Sequence, residues 1–463
     1  MAVTTRVDDS ALADLRAASG GSVLQSGDDG YDEARTVWNA MIDRRPAVIV
    51  RPTGAADVIT AVNFAREHDL PVSVKGGGHN IAGRAVCDDG LVIDLSTMRS
   101  VRVDPEARTA RVGPGATLAD VDRETQAFGL VVPTGINSTT GIAGLTLGGG
   151  FGWVSRRWGL TVDNLRSVDI VTADGRLRHA SETENEDLFW GVRGGGTFGV
   201  VTDFEFELHE YGPEVLSGLI IHPLSDARAV LEEYRSFAAA APDEVTPWVV
   251  LRNAPPLPFI PEEWHGEMVL IFAVCYAGSV EAGEAALAPL RAIGDPIVDV
   301  VSPHQFTDWQ QAFDPLLTPG ARNYWKSHNF VELTDAMLEI LLEFTERMPS
   351  PMTEVFVGQL GGAINRVPAD ATAYPHRDAE FVMNLHTRWE DPAQDEACKA
   401  WARELYDAMR PHATGGTYVN FIPEEAGEEQ AAYGENYDRL VELKDRYDPE
   451  NLFRLNTNVQ PTA

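Results

Sequence analysis

Lysine is scarce in this chain of 463 residues, and acidic residues far outnumber basic ones. There are 70 aspartate and glutamate residues against 37 lysine and arginine residues, so the formal net charge is −33 at pH 7. A surface this negative repels nucleic acids and anionic membranes, and we expect neither as a partner. The same composition is typical of a high-salt cytoplasm, where screening removes the self-repulsion, and of a GC-rich genome. The sequence leaves these two origins of the charge open.

Cysteine and long apolar runs are scarce as well. Cys87, Cys275 and Cys398 are far apart and show no CxxC spacing, which predicts a reduced compartment and no disulfide framework. No apolar run approaches the roughly 20 residues that span a membrane, and the first ten residues lack a secretory signal. We therefore expect a soluble cytoplasmic protein. The 11 histidines show no HExxH or other ligand spacing, which gives no support to a metal hydrolase.

Glycine, by contrast, is concentrated in three clusters. In the first, Gly76, Gly77 and Gly78 follow an apolar run at 70–74 that is typical of a strand, and His79 comes next. Three successive glycines give access to positive φ and leave no side chain in the way, which suits a loop lying against a flat or phosphorylated ligand. A histidine at the exit of this loop would be held close to that ligand. The alternative, from these residues alone, is a tight turn followed by an exposed histidine.

The second cluster has six glycines within residues 141–152, interleaved with isoleucine, leucine and phenylalanine. Flexible linkers lack such large apolar residues. The pattern therefore predicts a buried chain in close backbone contact with a ligand. A tightly packed coil without a ligand is the alternative.

The third cluster, residues 194–199, satisfies G-x-G-x-x-G. A dinucleotide-binding fingerprint must follow a strand and open a helix. Here residues 187–193 are predicted to be helical and residues 200–208 alternate like a strand, so we reject a Rossmann site. A P-loop is rejected too, because no glycine-lysine-serine/threonine sequence occurs.

The first part of the chain mixes helices and strands. Residues 1–45 are predicted to be helical and polar, with Ser10 as an N-cap. Residues 47–80 are predicted to form a strand–helix–strand unit in which Thr53 caps the helix. A hairpin follows at 100–112.

Further helices and strands predict an α+β protein. A helix at 115–128 is expected to open with Thr117 as cap and Asp120 three residues later. From about residue 213 the pattern predicts an antiparallel sheet with helices on one face. The expected elements there and in the tail are helices at 226–241, 280–292, 334–347, 392–409 and 436–446, and a strand at 268–274.

Other short motifs accompany the glycine clusters. They are Arg51-Pro52-Thr53, Gly159 to Asn164, Trp190-Gly191-Val192-Arg193-Gly194-Gly195-Gly196, Gly199-Val200-Val201-Thr202, Tyr418-Val419-Asn420, Tyr433 to Tyr437, and Tyr447-Asp448-Pro449-Glu450-Asn451-Leu452-Phe453. In this order, over nearly the whole chain, they resemble the berberine-bridge-like branch of the vanillyl-alcohol-oxidase superfamily of FAD enzymes. Within that branch the chain looks most like the bacterial and archaeal group typified by 6-hydroxy-D-nicotine oxidase.

The resemblance implies an FAD-binding domain in two parts, residues 1–210 and 413–463, with a substrate-binding domain at 211–412 inserted between them. His79 matches the histidine that bonds covalently to the flavin 8α-methyl group, for which a neutral imidazole is a suitable nucleophile. Some relatives use a cysteine as a second anchor, and that position falls on Asn137, so a single linkage is expected. The cofactor-binding residues implied are Lys75, Gly76, Gly77, Gly78, His79, Asn80, Thr134, Gly135, Thr139, Thr140, Gly141, Gly144, Gly150, Asn164, Val200, Asn420 and Asn456.

The resemblance also implies hydride transfer from a substrate C–H bond to flavin N5, with Tyr418 as the base. A phenol with a pKa near 10 is a poor base at neutral pH and would need a nearby positive charge or hydrogen bonds to its anion. Lys326 is the candidate for that charge. The alternative is that Tyr418 only packs on the flavin. Tyr374 and His376 are weaker candidates for the pocket, and a surface-turn histidine is the alternative for His376.

The expected function is therefore FAD-dependent oxidation of a small organic substrate, an alcohol, sugar or amine, with oxygen or another acceptor reoxidising the flavin. A flavin-binding protein of the same fold without redox turnover is the alternative. Neither the substrate nor the oligomeric state follows from the sequence.

Overall fold

The computed structural model describes residues 7–195, 198–423 and 429–462. Gly196 and Thr197 of the third glycine cluster, and the first six residues of the expected signal-free N-terminus, lie outside the described residues. The strands are β1 (Ser22–Leu24), β2 (Val48–Arg51), β3 (Val72–Lys75), β4 (Leu91–Asp94), β5 (Val101–Asp104), β6 (Thr109–Val112), β7 (Leu130–Val131), β8 (Leu165–Thr172), β9 (Leu177–Ser181), β10 (Gly199–Glu207), β11 (His209–Glu210), β12 (Glu214–Pro223), β13 (Val245–Asn253), β14 (Met268–Tyr276), β15 (Val298–Asp299), β16 (Ser302–Gln305), β17 (Arg322–Phe330), β18 (Glu354–Gln359) and β19 (Phe381–Trp389). The α-helices are α1 (Asp9–Ala18), α2 (Tyr31–Arg35), α3 (Ala55–Glu67), α4 (Leu118–Gln126), α5 (Ile142–Leu147), α6 (Ser155–Trp158), α7 (Glu186–Val192), α8 (Ala227–Ala240), α9 (Val280–Arg291), α10 (Phe306–Gln311), α11 (Asp335–Thr345), α12 (Ala363–Arg366), α13 (Asp395–Met409), α14 (Glu429–Tyr433) and α15 (Tyr437–Tyr447).

A four-stranded sheet in the order β1-β2-β4-β3 carries the first glycine loop. Strands β2 and β3 each pair in parallel with β4, and α3 connects β2 to β3, as the strand–helix–strand pattern predicted. The apolar residues of α3 recur every three or four positions and are buried against this sheet. The loop at 76–80 therefore leaves the end of a buried parallel strand.

Three predictions for the N-terminal region are wrong in detail. The region is not helical throughout, because β1 lies between α1 and α2 and pairs with β2. The cap of α1 is Asp8, whose carboxylate accepts a hydrogen bond from the backbone N–H of Ser10 at 3.3 Å. Thr53 does not cap α3; instead its backbone N–H and its hydroxyl both donate to the Asp57 carboxylate at 2.8 Å. A carboxylate within the first turn of the helix has displaced the hydroxyl as the local acceptor.

A second, antiparallel sheet has the order β5-β6-β10-β8-β9. It contains the predicted hairpin β5–β6. Helix α4 packs nearby and begins with the predicted capping box, in which Thr117 and Asp120 satisfy each other's backbone N–H groups. The third glycine cluster follows a helix, α7, and precedes a strand, β10, which confirms that it is not a Rossmann fingerprint.

The third sheet is larger and antiparallel, in the order β15-β12-β14-β13-β18-β19-β17, with β16 paired to β12. Helices α8, α9, α11 and α13 cover one face and share a core with it. The other face is turned toward the two smaller sheets and their loops, since aromatic side chains from both sides share one cluster. This mixed architecture confirms the α+β prediction.

The C-terminal tail returns to the first part of the chain. Leu440, Leu443 and Tyr447 of α15 are buried with Phe189 and Trp190 of α7. The tail therefore packs where the resemblance implies, while the exact domain boundaries stay a prediction. Within the described ranges, no helix combines the length and the apolar character needed to cross a bilayer.

Candidate functional site

A cavity of about 340 Å³ lies between the glycine loops, the third sheet and the C-terminal tail. Its wall includes most of the residues that the sequence singled out. They are Gly76, Gly77, Gly78, His79, Asn80, Gly135, Thr140, Gly141, Gly144, Tyr418, Asn420 and Asn456. Residues distant in sequence are thus brought together as predicted.

The first two glycine clusters contact each other through bare backbone. A Cβ atom at Gly77 would lie 2.3 Å from the Gly141 nitrogen, and one at Gly141 would lie 2.3 Å from the Gly77 nitrogen. Gly78 has φ +72°, which other residues rarely adopt. Side chains are therefore excluded from the junction of the loops. In contrast, a Cβ at Gly144 would meet nothing within 4 Å.

His79 is held in the cavity wall by three contacts. Its Nε2 lies 2.9 Å from Thr139 Oγ1 and its Nδ1 lies 3.5 Å from Thr140 Oγ1. The Trp38 ring stacks on it with centroids 5.3 Å apart. Burial lowers the pKa of His79 to about 4, so the imidazole is neutral at pH 7. The alternative of an exposed histidine after a tight turn is wrong.

Tyr418 is buried at the opposite side of the wall. Its hydroxyl oxygen accepts hydrogen bonds from the Gly150 N–H at 2.9 Å and from Asn420 Nδ2 at 3.0 Å. Burial raises the pKa of Tyr418 to about 12, although these two donors favour its anion. Tyr418 is therefore a protonated phenol at neutral pH. Gly150 does not line the cavity; its contact with the site is the hydrogen bond from its N–H to the Tyr418 hydroxyl.

The suggested activation of Tyr418 by Lys326 is wrong. Successive side chains of a strand point to opposite faces, and in β17 it is Trp325 that lines the cavity. Lys326 points to the other face, where its Nζ lies 4.3 Å from the centre of the Tyr406 ring of α13. Within the part of the chain that the structure describes, the groups that shift the pKa of Tyr418 are its burial and two neutral donors, Asn420 and the Gly150 N–H, and no cation is among them.

The two weaker pocket candidates also lie outside the wall. Tyr374 is buried behind Tyr418, with ring centroids 6.3 Å apart, and burial raises its pKa. His376 is buried as well, with Nε2 3.0 Å from the Ala432 carbonyl oxygen. It is neither a pocket residue nor a surface-turn histidine, because the tail of the chain covers it.

Five predicted cofactor residues support the wall from behind. Lys75 Nζ donates to the carbonyl oxygens of residues 34 and 36 at 2.6 and 3.0 Å, and Asn164 donates to the carbonyls of residues 158 and 160. Thr134 accepts a hydrogen bond from Gln310. Thr139 acts through His79, and Val200 is buried in the core beside the first sheet.

The third sheet supplies a part of the wall that was not predicted from the sequence. These residues are Trp248, Trp325, Glu354, Phe356, Asn384 and His386. Trp38, Arg84 and Thr457 were missed as well. One signal was available: in the fully buried strand β19, polar residues occupy every second position, at Asn384, His386 and Arg388. A buried strand whose one face is polar indicates a site rather than a plain core.

Comparisons with known proteins agree with this site. The family described as "FAD binding domain" matches residues 46–181, and the family "Berberine and berberine like" matches residues 417–460. An FAD-linked oxidoreductase of Dictyostelium discoideum is 30% identical over 447 residues, covering 95% of both chains. (R)-6-hydroxynicotine oxidase of Paenarthrobacter nicotinovorans is 31% identical over 459 residues, covering 95% of this chain and 97% of the other.

A solved structure gives the same result for the fold. The crystal structure of 6-hydroxy-D-nicotine oxidase from Arthrobacter nicotinovorans superposes with a TM-score of 0.84 at 28% identity, covering 96% of this chain and 98% of the other. The two matched families lie at the glycine loops and at the tail, which together form one side of the cavity. The cofactor is therefore FAD, and the chain belongs to the FAD-linked oxidoreductases of the vanillyl-alcohol-oxidase superfamily, in the berberine-bridge-like branch.

Proposed function

We propose that this chain is an oxidase that holds FAD covalently through His79 and oxidises a small organic substrate, with oxygen as the final electron acceptor. The observation that carries the proposal is the position of His79, a neutral imidazole in the cavity wall directly after the glycine loop. When bound, the flavin supplies an acceptor, N5, for a hydride from the substrate.

The residues of the cavity fit FAD. The backbone junction of Gly77 and Gly141 leaves main-chain N–H groups free of side-chain cover, which suits the pyrophosphate. The open space above Gly144 admits close approach of a ligand. Apolar and aromatic residues, among them Leu145 and Phe151, provide surface for the flat ring system.

The hydrogen bonds around His79 select its nucleophilic nitrogen. Asn137 Oδ1 accepts from the backbone N–H of Thr139 at 3.1 Å and from the Thr139 hydroxyl at 2.6 Å. Because that hydroxyl proton points to Asn137, Thr139 Oγ1 accepts from the Nε2–H of His79. The lone pair is then on Nδ1, whose one polar neighbour among the described residues is the Thr140 hydroxyl at the long distance of 3.5 Å, and this lone pair would bond to carbon. Asn137 stands at the position where some relatives have a cysteine. Here it would set the tautomer of His79 through Thr139 and so favour a single linkage.

The attachment is tested by the behaviour of the flavin in acid. The purified protein should be yellow, and the colour should stay with the precipitate in trichloroacetic acid. We expect His79→Ala to release its FAD into the supernatant, because no bond retains it. His68→Ala, an exposed histidine outside the cavity wall, is the control and should behave like the wild type. Flavin that stays with denatured His79→Ala protein would disprove the attachment.

Redox turnover is tested by screening small alcohols, sugars and amines under air. Bleaching of the flavin without oxygen, and hydrogen peroxide formation with oxygen, are expected for at least one compound. A yellow protein that no compound bleaches and that dithionite alone reduces would support the non-redox alternative.

A further inference from the structure

Four side chains form one polar row across the third sheet, on the face that lines the cavity. Trp325 of β17 pairs directly with His386 of β19, His386 with Glu354 of β18, and Glu354 with Arg252 of β13. Directly paired residues project from the same face of a sheet. Trp325, Glu354 and His386 all lie in the cavity wall. The row thus starts at the cavity and ends at the partly buried guanidinium of Arg252.

Glu354 is held between two partners. Its Oε2 accepts from the Arg252 guanidinium at 2.6 Å, and its Oε1 lies 3.0 Å from His386 Nδ1. Burial favours the neutral acid, but Arg252 and His386 outweigh it and hold the pKa of Glu354 at about 2. Glu354 is therefore a carboxylate that can only accept, and it fixes the proton of His386 on Nδ1.

His386 consequently presents an unprotonated nitrogen. The residue is 6% exposed, and burial lowers the pKa of His386 although Glu354 raises it, so the ring is neutral at pH 7. Among the described residues, Nε2 has no hydrogen-bond partner, and neither has Oδ1 of Asn384, two residues earlier on the same face. Buried polar atoms without partners are uncommon in proteins and call for an explanation, such as an ordered water or a catalytic role. These two neighbouring acceptors on the cavity face suit a ligand that donates hydrogen bonds.

Trp325 packs against the His386 ring in the cavity wall. Its ring stands edge-on to the imidazole with centroids 4.1 Å apart and is itself only partly buried. Its indole N–H has no hydrogen-bond partner in the described part of the chain, so packing alone holds this ring. Because Nε2 is buried, a ligand reaches it only if a neighbouring side chain moves, and this loosely held indole is the adjacent one.

We propose that His386, positioned by Glu354, is the catalytic base for a substrate that carries a neutral CH–OH group. The substrate hydroxyl donates its proton to Nε2 while the carbon loses a hydride to the flavin, so that C–OH becomes C=O. The hydride reduces the FAD of the proposed function, and the proton passes from the imidazolium to water. This inference rests on that function and names its base and its substrate class.

The charges of the row favour an alcohol over an amine. An aliphatic amine is a cation at neutral pH and needs a net negative partner. Arg252 neutralises Glu354, and Arg388, the next residue on this face of β19, adds a further positive charge. An ammonium group would therefore meet no uncompensated carboxylate here. A neutral hydroxyl needs only the acceptors that the wall offers.

The tautomer of His386 is the first test, and it does not depend on turnover. Histidine-selective ¹⁵N labelling of the flavin-loaded protein, with the signal assigned by its loss in His386→Gln, should show a neutral ring protonated on Nδ1 at pH 7. Glu354→Gln should weaken this preference, because its amide can either accept from Nδ1–H or donate to Nδ1. A ring that is cationic, or protonated on Nε2, in the wild type would overturn the proposal.

Anaerobic flavin reduction is the second test. Benzyl alcohol with benzylamine, and cyclohexanol with cyclohexylamine, serve as matched probes, and the alcohols should bleach the flavin. His386→Gln should slow this step by about 100-fold or more and remove its acid limb in the pH profile, because a base is lost. Substrate affinity, measured by perturbation of the oxidised flavin spectrum, should change far less than the rate.

A matched control is the buried His328 of β17, which faces away from the cavity and stacks on Tyr406. His328→Gln should reduce its flavin at the wild-type rate, which separates a chemical role from damage to the sheet. Reduction of His386→Gln at the wild-type rate, or bleaching by the amines alone, would overturn the inference and leave the proposed function standing. If no probe bleaches the flavin, the proposed function is in question. The ¹⁵N signal of His386 then decides whether Glu354 positions an unprotonated Nε2.

Discussion

Tyr418 shows how burial controls the chemistry of a single side chain in this protein. Two donors, the Gly150 N–H and Asn420 Nδ2, are aimed at its oxygen, yet burial raises its pKa to about 12. The phenol is therefore protonated at neutral pH. We propose that it orients a ligand as a hydrogen-bond donor and that another group removes the proton.

We expect Tyr418→Phe to retain its flavin but to reduce it about 10–100-fold more slowly with substrate, because one donor of the site is lost. Stopped-flow absorbance of the flavin is the measurement. Tyr374→Phe is the comparison, since that ring lies behind the wall. Equal rates for Tyr418→Phe and the wild type would remove Tyr418 from the mechanism.

Asp122 is a second residue whose ionisation is set by burial. It is fully enclosed between α4 and α10, and Gln310 Nε2 donates to its Oδ2 at 2.9 Å. Burial raises the pKa of Asp122 to about 7, and the hydrogen bond from Gln310 only partly opposes this shift. Since an unfolded aspartate has a pKa near 3.9, the folded state binds the extra proton between about pH 4 and 7. The stability contributed by this proton is lost as the pH rises through 7.

Asp122→Asn should therefore be more stable than the wild type at about pH 8, by roughly 2–4 kcal/mol, and should match it near pH 4. Urea unfolding of both proteins at the two pH values measures the difference. A stability difference that is independent of pH would show that Asp122 is ionised in the folded protein.

Helix α5 is the element that places the second glycine cluster at the cavity. It is short, and Gly144 on its exposed side is part of the wall. Alanine stabilises a helix relative to glycine, and a methyl group at this position meets nothing within 4 Å of protein. The same methyl group would project into the space that the cofactor needs. A substitution at Gly144 should therefore affect the stability of the fold and the binding of the cofactor in opposite directions.

Gly144→Ala should raise the stability of the flavin-free chain by about 0.5–1 kcal/mol and lower its flavin content. Gly54→Ala, at the N-cap of α3 and also without neighbours within 4 Å of its Cβ, is the control and should keep a full complement of flavin. Denaturant unfolding and the ratio of flavin to protein absorbance are the two measurements. Full flavin content in Gly144→Ala would place the cofactor elsewhere.

Another element, the end of α15, explains the last motif of the chain. Lys444 and Asp448 form a buried ion pair at 2.7 Å. Asp448 also accepts hydrogen bonds from the backbone N–H groups of Leu452 and Phe453. These bonds turn the chain so that Phe453 and the residues after it reach the cavity wall. The motif thus has a structural role, because it fixes the backbone turn that brings the tail to the cavity.

At the scale of the whole molecule, the net charge of −33 opposes compaction. Ion pairs such as Arg111 with Asp203 lie at partly exposed positions, where each contributes little. When salt is added, the gain in stability from screening the repulsion between negative charges should therefore exceed the loss from weakening these ion pairs.

We expect the thermal midpoint to rise by several degrees between about 0.05 M and about 1 M NaCl, since the screening length falls from more than 10 Å to about 3 Å. Differential scanning calorimetry measures it, and a choline chloride series separates screening from specific sodium binding. A midpoint that falls with salt would mean that ion pairs dominate the electrostatic free energy.

Much of this architecture follows from local patterns. The longer helices that were predicted from residue 226 onward, the β5–β6 hairpin and the capping box of α4 agree with prediction, because periodicity and capping act within one turn or one strand pair. The short helices α10, α12 and α14 were not predicted. The errors near Ser10 and Thr53 arose where a neighbouring aspartate competed with a hydroxyl as the local acceptor. The glycine loops and His79 were also predicted from a local pattern, since successive glycines leave the backbone of a loop uncovered by side chains.

The sequence by itself thus determined the family, the cofactor, the glycine loops and the longer helices after residue 226. Only the tertiary structure decided which side of each strand faces the cavity. Strand side chains alternate, so a shift of one position exchanges Trp325 for Lys326 and reverses the face. Pairing of β17, β19 and β18 then placed His386 between Trp325 and Glu354. Those strands are far apart in the chain, and only packing in three dimensions brings their polar residues to one wall.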